Sequence, residues 1–138
     1  MTIIENFEHE LKTKYPDLFD GKDIGLWVDR GWQPIIHALC REIDAWVKFV
    51  NNDPKRTPIN VTIDQIKEKF GGLRFYYSGG DEYISGMVQM AEVWAGTTCE
   101  VCGEPGKQRS GGWIKTLCDK HDEERKAAYA ERFKNISI

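Results

Sequence analysis

The 138-residue chain carries 41% hydrophobic and 30% charged residues, ordinary values for a globular protein, and it is long enough to build a core of its own. Its formal net charge of -3 argues against a general cationic coat for nucleic acid, which binds by counterion release from lysine and arginine; a local basic face stays open. No apolar run reaches the roughly 18 to 20 residues that span a bilayer, so no membrane partner is expected.

The acidic start, Met1 to Glu8, has neither the basic nor the apolar region of a signal peptide. The expected compartment is therefore the cytoplasm, where the four cysteines are expected as thiols or metal ligands and not as disulfides. Ile4, Phe7, Leu11 and Tyr15 fall at helical spacing and predict a short amphipathic helix over 3–15, which Pro16 discourages from continuing. Residues 17–31 mix aspartate, glycine and apolar residues and are expected to form a loop. Trp27 and Trp32 sit in and beside it, and either pack over the core edge or form a surface for a partner.

The strongest helix pattern spans 33–51. Ile35, Ile36, Leu39, Cys40, Ile43, Trp46, Val47 and Val50 form one stripe, with Arg41, Asp44 and Lys48 off it. Pro34 suits its first turn, where a missing N–H costs little. Cys40, on the stripe, is expected to be a core thiol.

Residues 59–78 predict a β-hairpin. Ile59, Val61 and Ile63 alternate, and Gly71-Gly72 offers the two positive-φ positions of a tight turn. With that turn, Phe70 faces Leu73, Lys69 faces Arg74, Glu68 faces Phe75 and Lys67 faces Tyr76. Alternation across the pleat then sets Ile66, Phe70, Leu73, Phe75 and Tyr77 on one face with Glu68, and Lys67, Lys69, Arg74 and Tyr76 on the other. The upstream alternation is out of phase with Ile66 and Phe70, so a bulge is expected near Asp64-Gln65. The second face can bind phosphate, a nucleotide or an acidic protein surface, with a base stacked on Tyr76, or it can be a solvated strand face whose charges prevent edge pairing. Residues 81–95 read as a further helix, with Tyr83, Ile84, Met87, Val88, Ala91 and Trp94 on one side. Trp46 and Trp94 are both expected in the core.

The last third holds Cys99-x2-Cys102, fifteen residues, then Cys118-x2-His121. Paired ligands two residues apart each supply two corners of a tetrahedron, and this is a zinc spacing with histidine in the last place. Between the pairs, Lys107 to Leu117 predicts a second hairpin, and the residues from Asp119 to Lys134 predict a charged helix whose acidic first turn suits the helix dipole. A knuckle, a hairpin and a helix that opens on the second ligand pair resemble a treble-clef finger. Four good ligands point to one closed, structural Zn2+, since a catalytic zinc keeps an open position. The expected fold is α+β: helices packed on a β-hairpin over residues 1–96, followed by a treble-clef-like zinc finger over 97–138.

Little suggests an enzyme. G-x-S-x-G, the Walker loop and H-E-x-x-H are absent, and no His-x-Glu precedes Cys99 as zinc deaminases require. His9 is expected to be solvated, His37 has no evident partner, and the hairpin carries no histidine of the kind that treble-clef nucleases use. No catalytic residue is assigned.

Three blocks, Gly31-Trp32-Gln-Pro-Ile-Ile, Gln65 to Tyr77 (QIKEKFGGLRFYY) and Cys99-Glu-Val-Cys-Gly with Gly111 to His121 (GGWIKTLCDKH), together resemble a family of small proteins encoded mainly by bacteriophages and prophages. The resemblance spans most of residues 25–125. It implies the same metal quartet, a phage origin and hence a bacterial host cytoplasm, but no activity. Two functions are expected from these features. One is a binding module that engages a host or phage protein, such as a defence component, through the charged C-terminal helix or the aromatic segment around Trp27 and Trp32. The other is a nucleic-acid or nucleotide binder that uses Lys67, Lys69, Arg74 and Tyr76, with Arg109 and Lys115 on the second hairpin.

Overall fold

The apolar stripe of residues 33–51 does form the central helix. In the computed structural model, which describes residues 3–136, five α-helices and two antiparallel hairpins follow in order: α1 (Ile3–Lys14), α2 (Pro16–Phe19), a single 3-10 turn (Arg30–Trp32), α3 (Gln33–Asn51), β1 (Val61–Lys69), β2 (Gly72–Gly79), α4 (Glu82–Ala95), β3 (Lys107–Arg109), β4 (Lys115–Leu117) and α5 (Asp119–Ile136). The α+β class expected from the sequence is therefore observed. Helix α3 buries Ile35, Ile36, Leu39, Cys40, Ile43 and Val50. Cys40 is a core thiol, and burial, with the Asp44 carboxylate nearby, pushes its pKa up to about 12.

The N-terminal segment departs from expectation in two places. Pro16 ends α1 but opens α2, because proline fits the first helical turn, and α2 buries Leu18 and Phe19. The expected loop 17–31 also lines the sheet: Trp27 forms a parallel bridge with Lys67, donating its N–H to the Ile66 carbonyl (3.2 Å) and accepting from the Glu68 N–H (3.1 Å). Leu26 and Val28 point inward on either side of it. The Glu8 carboxylate of α1 holds this segment by accepting the N–H groups of Ile24 (3.2 Å) and Leu26 (2.8 Å). Phe7 and Leu11 are buried as the helical spacing predicts; the side chain of Ile4 lies outside the described residues. His37 has a partner after all, the Tyr15 hydroxyl, 3.2 Å from its Nε2.

The hairpin β1–β2 forms with its turn one residue earlier than predicted. Lys69 pairs with Gly72, Glu68 with Leu73, Lys67 with Arg74, Ile66 with Phe75 and Gln65 with Tyr76, so the turn residues are Phe70 (φ 53°) and Gly71 (φ 79°). Glu68 explains the choice. Its carboxylate accepts the Gly71 N–H at 2.6 Å, which also accounts for a charged residue on the inward face. The turn moves equally along both strands, so each side chain keeps its face and changes only its partner; Phe70, now in the turn, is exposed. The expected bulge lies between Ile63 and Gln65. It lets Val61 and Ile63 share the buried face with Ile66, Leu73 and Phe75.

Helix α4 packs against α3 and β2. Asp81 caps it by accepting the Ile84 N–H (3.0 Å) and also accepts the Trp46 indole N–H (2.9 Å). Glu92 accepts the Phe75 N–H (3.0 Å) on the outer side of β2. Ile84, Val88, Ala91 and Ala95 face the core. Trp94 does not: it is 51% exposed, because the buried stripe of α4 passes beside it. Among the described residues no helix is long and apolar enough to cross a membrane.

Candidate metal centre

The four residues predicted as metal ligands converge. The sulfurs of Cys99, Cys102 and Cys118 and a ring nitrogen of His121 all lie within 4.8 Å of one another. Local backbone chemistry sets up each pair. After Cys99 the chain turns back on itself, with the Gly103 N–H on the Cys99 carbonyl (2.9 Å) and the Cys99 N–H on the Glu104 carbonyl (2.7 Å). Cys118 immediately precedes α5 and His121 sits in its first turn, where the His121 N–H points at the Cys118 sulfur (3.4 Å).

The spacing of the donors suits an ion. A tetrahedron with metal–sulfur bonds of about 2.3 Å has edges of about 3.8 Å. The Cys102 and Cys118 sulfurs are 3.8 Å apart, and His121 Nδ1 lies 3.6 Å from the Cys99 sulfur and 3.2 Å from that of Cys118. Nδ1 is thus the nitrogen that faces the centre. Nε2 points away, 3.7 Å from the Glu124 carboxylate. Burial raises the Cys99 pKa, but backbone N–H groups of Cys118, Cys102 and Val101 aimed at its sulfur lower it further, to about 7. At Cys102 the Glu104 N–H lowers the pKa, yet burial and the sulfurs of Cys99 and Cys118 leave it raised. The quartet can therefore hold a metal ion, with thiolate character already favoured at Cys99.

Three ion pairs, two from Arg109 and one from Lys115, fasten the ligand-bearing segments to each other. Arg109 on β3 reaches Asp119 (2.7 Å) and the buried Asp122 (3.2 Å), and its Nε donates to the Leu117 carbonyl (3.2 Å). This ties the hairpin to the first turn of α5. Glu100, between the first two ligands, is 3% exposed. Its carboxylate accepts from Lys115 Nζ (3.0 Å) and the Thr116 N–H (3.1 Å).

The same segment is joined to the N-terminal core. The Gly31 N–H donates to the Glu100 carbonyl (2.8 Å), and the Trp32 indole N–H donates to the Thr98 carbonyl (2.9 Å). The tip of β1–β2 meets the second hairpin, with the Thr116 hydroxyl on the Gly71 carbonyl (2.6 Å) and the Gln108 amide on the Phe70 carbonyl (3.2 Å). Gly31 allows the approach: a Cβ there would stand 2.0 Å from the Cys99 carbonyl oxygen.

The other candidate residues separate. Lys67, Arg74 and Tyr76 do share the outer strand face, with Lys67 Nζ 5.7 Å from the Tyr76 ring centroid. Lys69 lies over Phe70 (5.8 Å) at the turn. Arg109 and Lys115 do not join them, since both are engaged with carboxylates of the metal segment. Trp27 is 71% exposed, whereas Trp32 is 0% exposed. Trp32 is thus a core residue and not part of a partner surface: its indole fills the junction between α3 and the first ligand pair. No family model, no curated protein and no solved structure matches this chain.

Sequence reasoning missed Glu100 and Gly31 as supports of the centre. The position of Glu100 inside a ligand pair was the only available signal, since a charge there must be either solvated or paired. Gly31→Ala is expected to lower stability by about 3 kcal/mol and to weaken metal binding in parallel, as read by urea unfolding and by competition with a chromophoric chelator.

Proposed function

We propose that this chain is a zinc-stabilised protein-binding module of phage origin that acts on a host protein, such as a defence component. Zinc is the ion that three thiolates and one imidazole in a tetrahedral arrangement suit best. The knuckle, the hairpin and the helix opening on Cys118 and His121 support a treble-clef reading. With four protein donors the ion would be a structural clamp, adding folding energy to a segment whose own apolar content is low; no reaction step is assigned to it.

The observation that carries the binding reading is a solvent-open apolar groove of about 510 Å³ between α3 and α4. Met90 (66% exposed) and Trp94 lie along it. Contiguous exposed apolar surface of this kind marks interaction sites in soluble proteins. The basic strand face supports a second reading, nucleic-acid or nucleotide binding, through Lys67 and Arg74, which face one another beside Tyr76. It is the weaker of the two, because Arg109 and Lys115 are paired elsewhere.

Native mass spectrometry is expected to find one zinc per chain, and Cys102→Ser to lose it with partial unfolding of the C-terminal third. Intact protein without any metal at neutral pH would contradict the clamp. The two binding readings separate in a crosslinking pull-down from host cells. Met90→Asp should abolish partner capture, while Lys67→Ala/Arg74→Ala should leave it intact. The reverse pattern, with capture lost steeply as salt rises, would transfer the function to the basic face.

A further inference from the structure

The α3–α4 groove has a chemistry that narrows its occupant. Its floor is the core surface of Ile35, Leu39 and Ala91, and its walls are Tyr83, Met87, Met90 and Trp94. Methionine side chains adapt to varied apolar partners. The space beside Gly86 is open: a Cβ there would meet nothing within 4 Å. On α3 the lining runs only from Ile35 to Glu42, so at 1.5 Å per residue both helices wall the groove for about 12 Å, which matches roughly two turns of a second helix.

Among the described residues, the charged side chains that line the groove itself have one sign. Glu42 and Glu82 line it, and no lysine or arginine does. Arg41 lies 3.3 Å from Glu42, but both side chains are well exposed, and such a pair contributes little. Helix α4 carries Glu82 and Glu92 and no basic residue. Past Tyr83 the apolar face continues as an aromatic ladder, with Tyr83 stacked on Trp46 (4.1 Å) and Trp46 on Phe49 (5.5 Å). The guanidinium of Arg56 already rests over this ladder, 5.6 Å from the Trp46 ring and 5.1 Å from that of Phe49. That end of the apolar face is thus covered by the chain's own arginine, and the uncovered part is the stretch between Tyr83 and Trp94.

From these observations we infer that the groove receives an amphipathic helix of a partner protein, with large apolar side chains at i, i+4 and i+7 and lysine or arginine at its flanks. The inference rests on the protein-binding reading and names the partner's chemistry. A second copy of this chain fits less well, because a two-fold contact would set the same carboxylates, Glu42 and Glu82, against each other. An anionic bilayer would meet the same repulsion.

The chain has three methionines, so methyl-13C-methionine labelling of the full, metal-loaded protein gives two reporters in the groove, Met87 and Met90. The probes are three helical peptides of about 18 residues with the same leucine spacing and with lysine, glutamate or glutamine at the polar positions. The leucine–lysine peptide should shift both methyl signals and bind about tenfold more tightly than the leucine–glutamate peptide. Met90→Asp should weaken it about tenfold, and Glu42→Lys/Glu82→Lys should invert the preference. Met90 and both glutamates are exposed or at the rim, so the variants should fold, which their unchanged core signals would verify. Equal binding of all three peptides would overturn the charge assignment and leave the protein-binding reading intact. No shift with any peptide would overturn both. Shifts that follow protein concentration alone would assign the groove to self-association, and shifts produced only by phosphatidylserine vesicles would assign it to a membrane; either result overturns the inference.

Discussion

Two buried hydrogen bonds hold the first ligand pair to the entrance of α3: the Gly31 N–H on the Glu100 carbonyl and the Trp32 indole N–H on the Thr98 carbonyl. Each is worth only about 1 kcal/mol net, but leaving a buried donor unpaired costs more, so both ends must be built together. The donors sit at the entrance to α3, the helix on which the core is assembled. The acceptors flank Cys99, the most buried of the four ligands. Whatever orders the turn around Cys99 therefore also completes the core at Trp32, and the reverse holds as well. Without a side chain at Gly31 the two backbones can approach this closely, and that absence is a condition of the arrangement.

The parts of the structure that were legible in the sequence are those set by local chemistry. Ligand pairs two residues apart declare themselves, as does the long stripe from Ile35 to Val50. The bulge near Asp64 was legible because the alternation loses phase there. What was not legible depends on particular side-chain hydrogen bonds and ion pairs that periodicity does not report. Gly71-Gly72 offers the better turn by local preference, yet Glu68 on the Gly71 N–H and Thr116 on the Gly71 carbonyl fix the turn one residue earlier. Trp32 lies in a 3-10 turn, outside any periodic stripe, so nothing local reports its burial. Arg109 and Lys115 read as free cations because their carboxylate partners, Asp119, Asp122 and Glu100, are brought to them only by the folded metal segment.

The molecule thus divides its polar and apolar surfaces. Around the quartet two strong polar groups are committed internally: Glu100 to Lys115 and Thr116, and Arg109 to the start of α5. On the α3–α4 side the apolar surface remains uncommitted, with Met90, Val93 and Trp94 turned outward from a helix that already buries Ile84, Val88 and Ala91. Binding at that groove and stabilisation by the metal would then be separate tasks, joined through α3, which carries the groove on one part of its length and follows directly from Trp32.

The central claim is that ordering of the metal ligands and completion of the core at Trp32 are one cooperative event. Hydrogen exchange of the Gly31 amide and the Trp32 indole N–H, measured with metal bound and after chelation, tests it most directly. Both protons should lose most of their protection together when the metal is removed, although neither residue belongs to the quartet. Protection that survives chelation at both sites, while the Cys99–Gly103 turn exchanges freely, would contradict it.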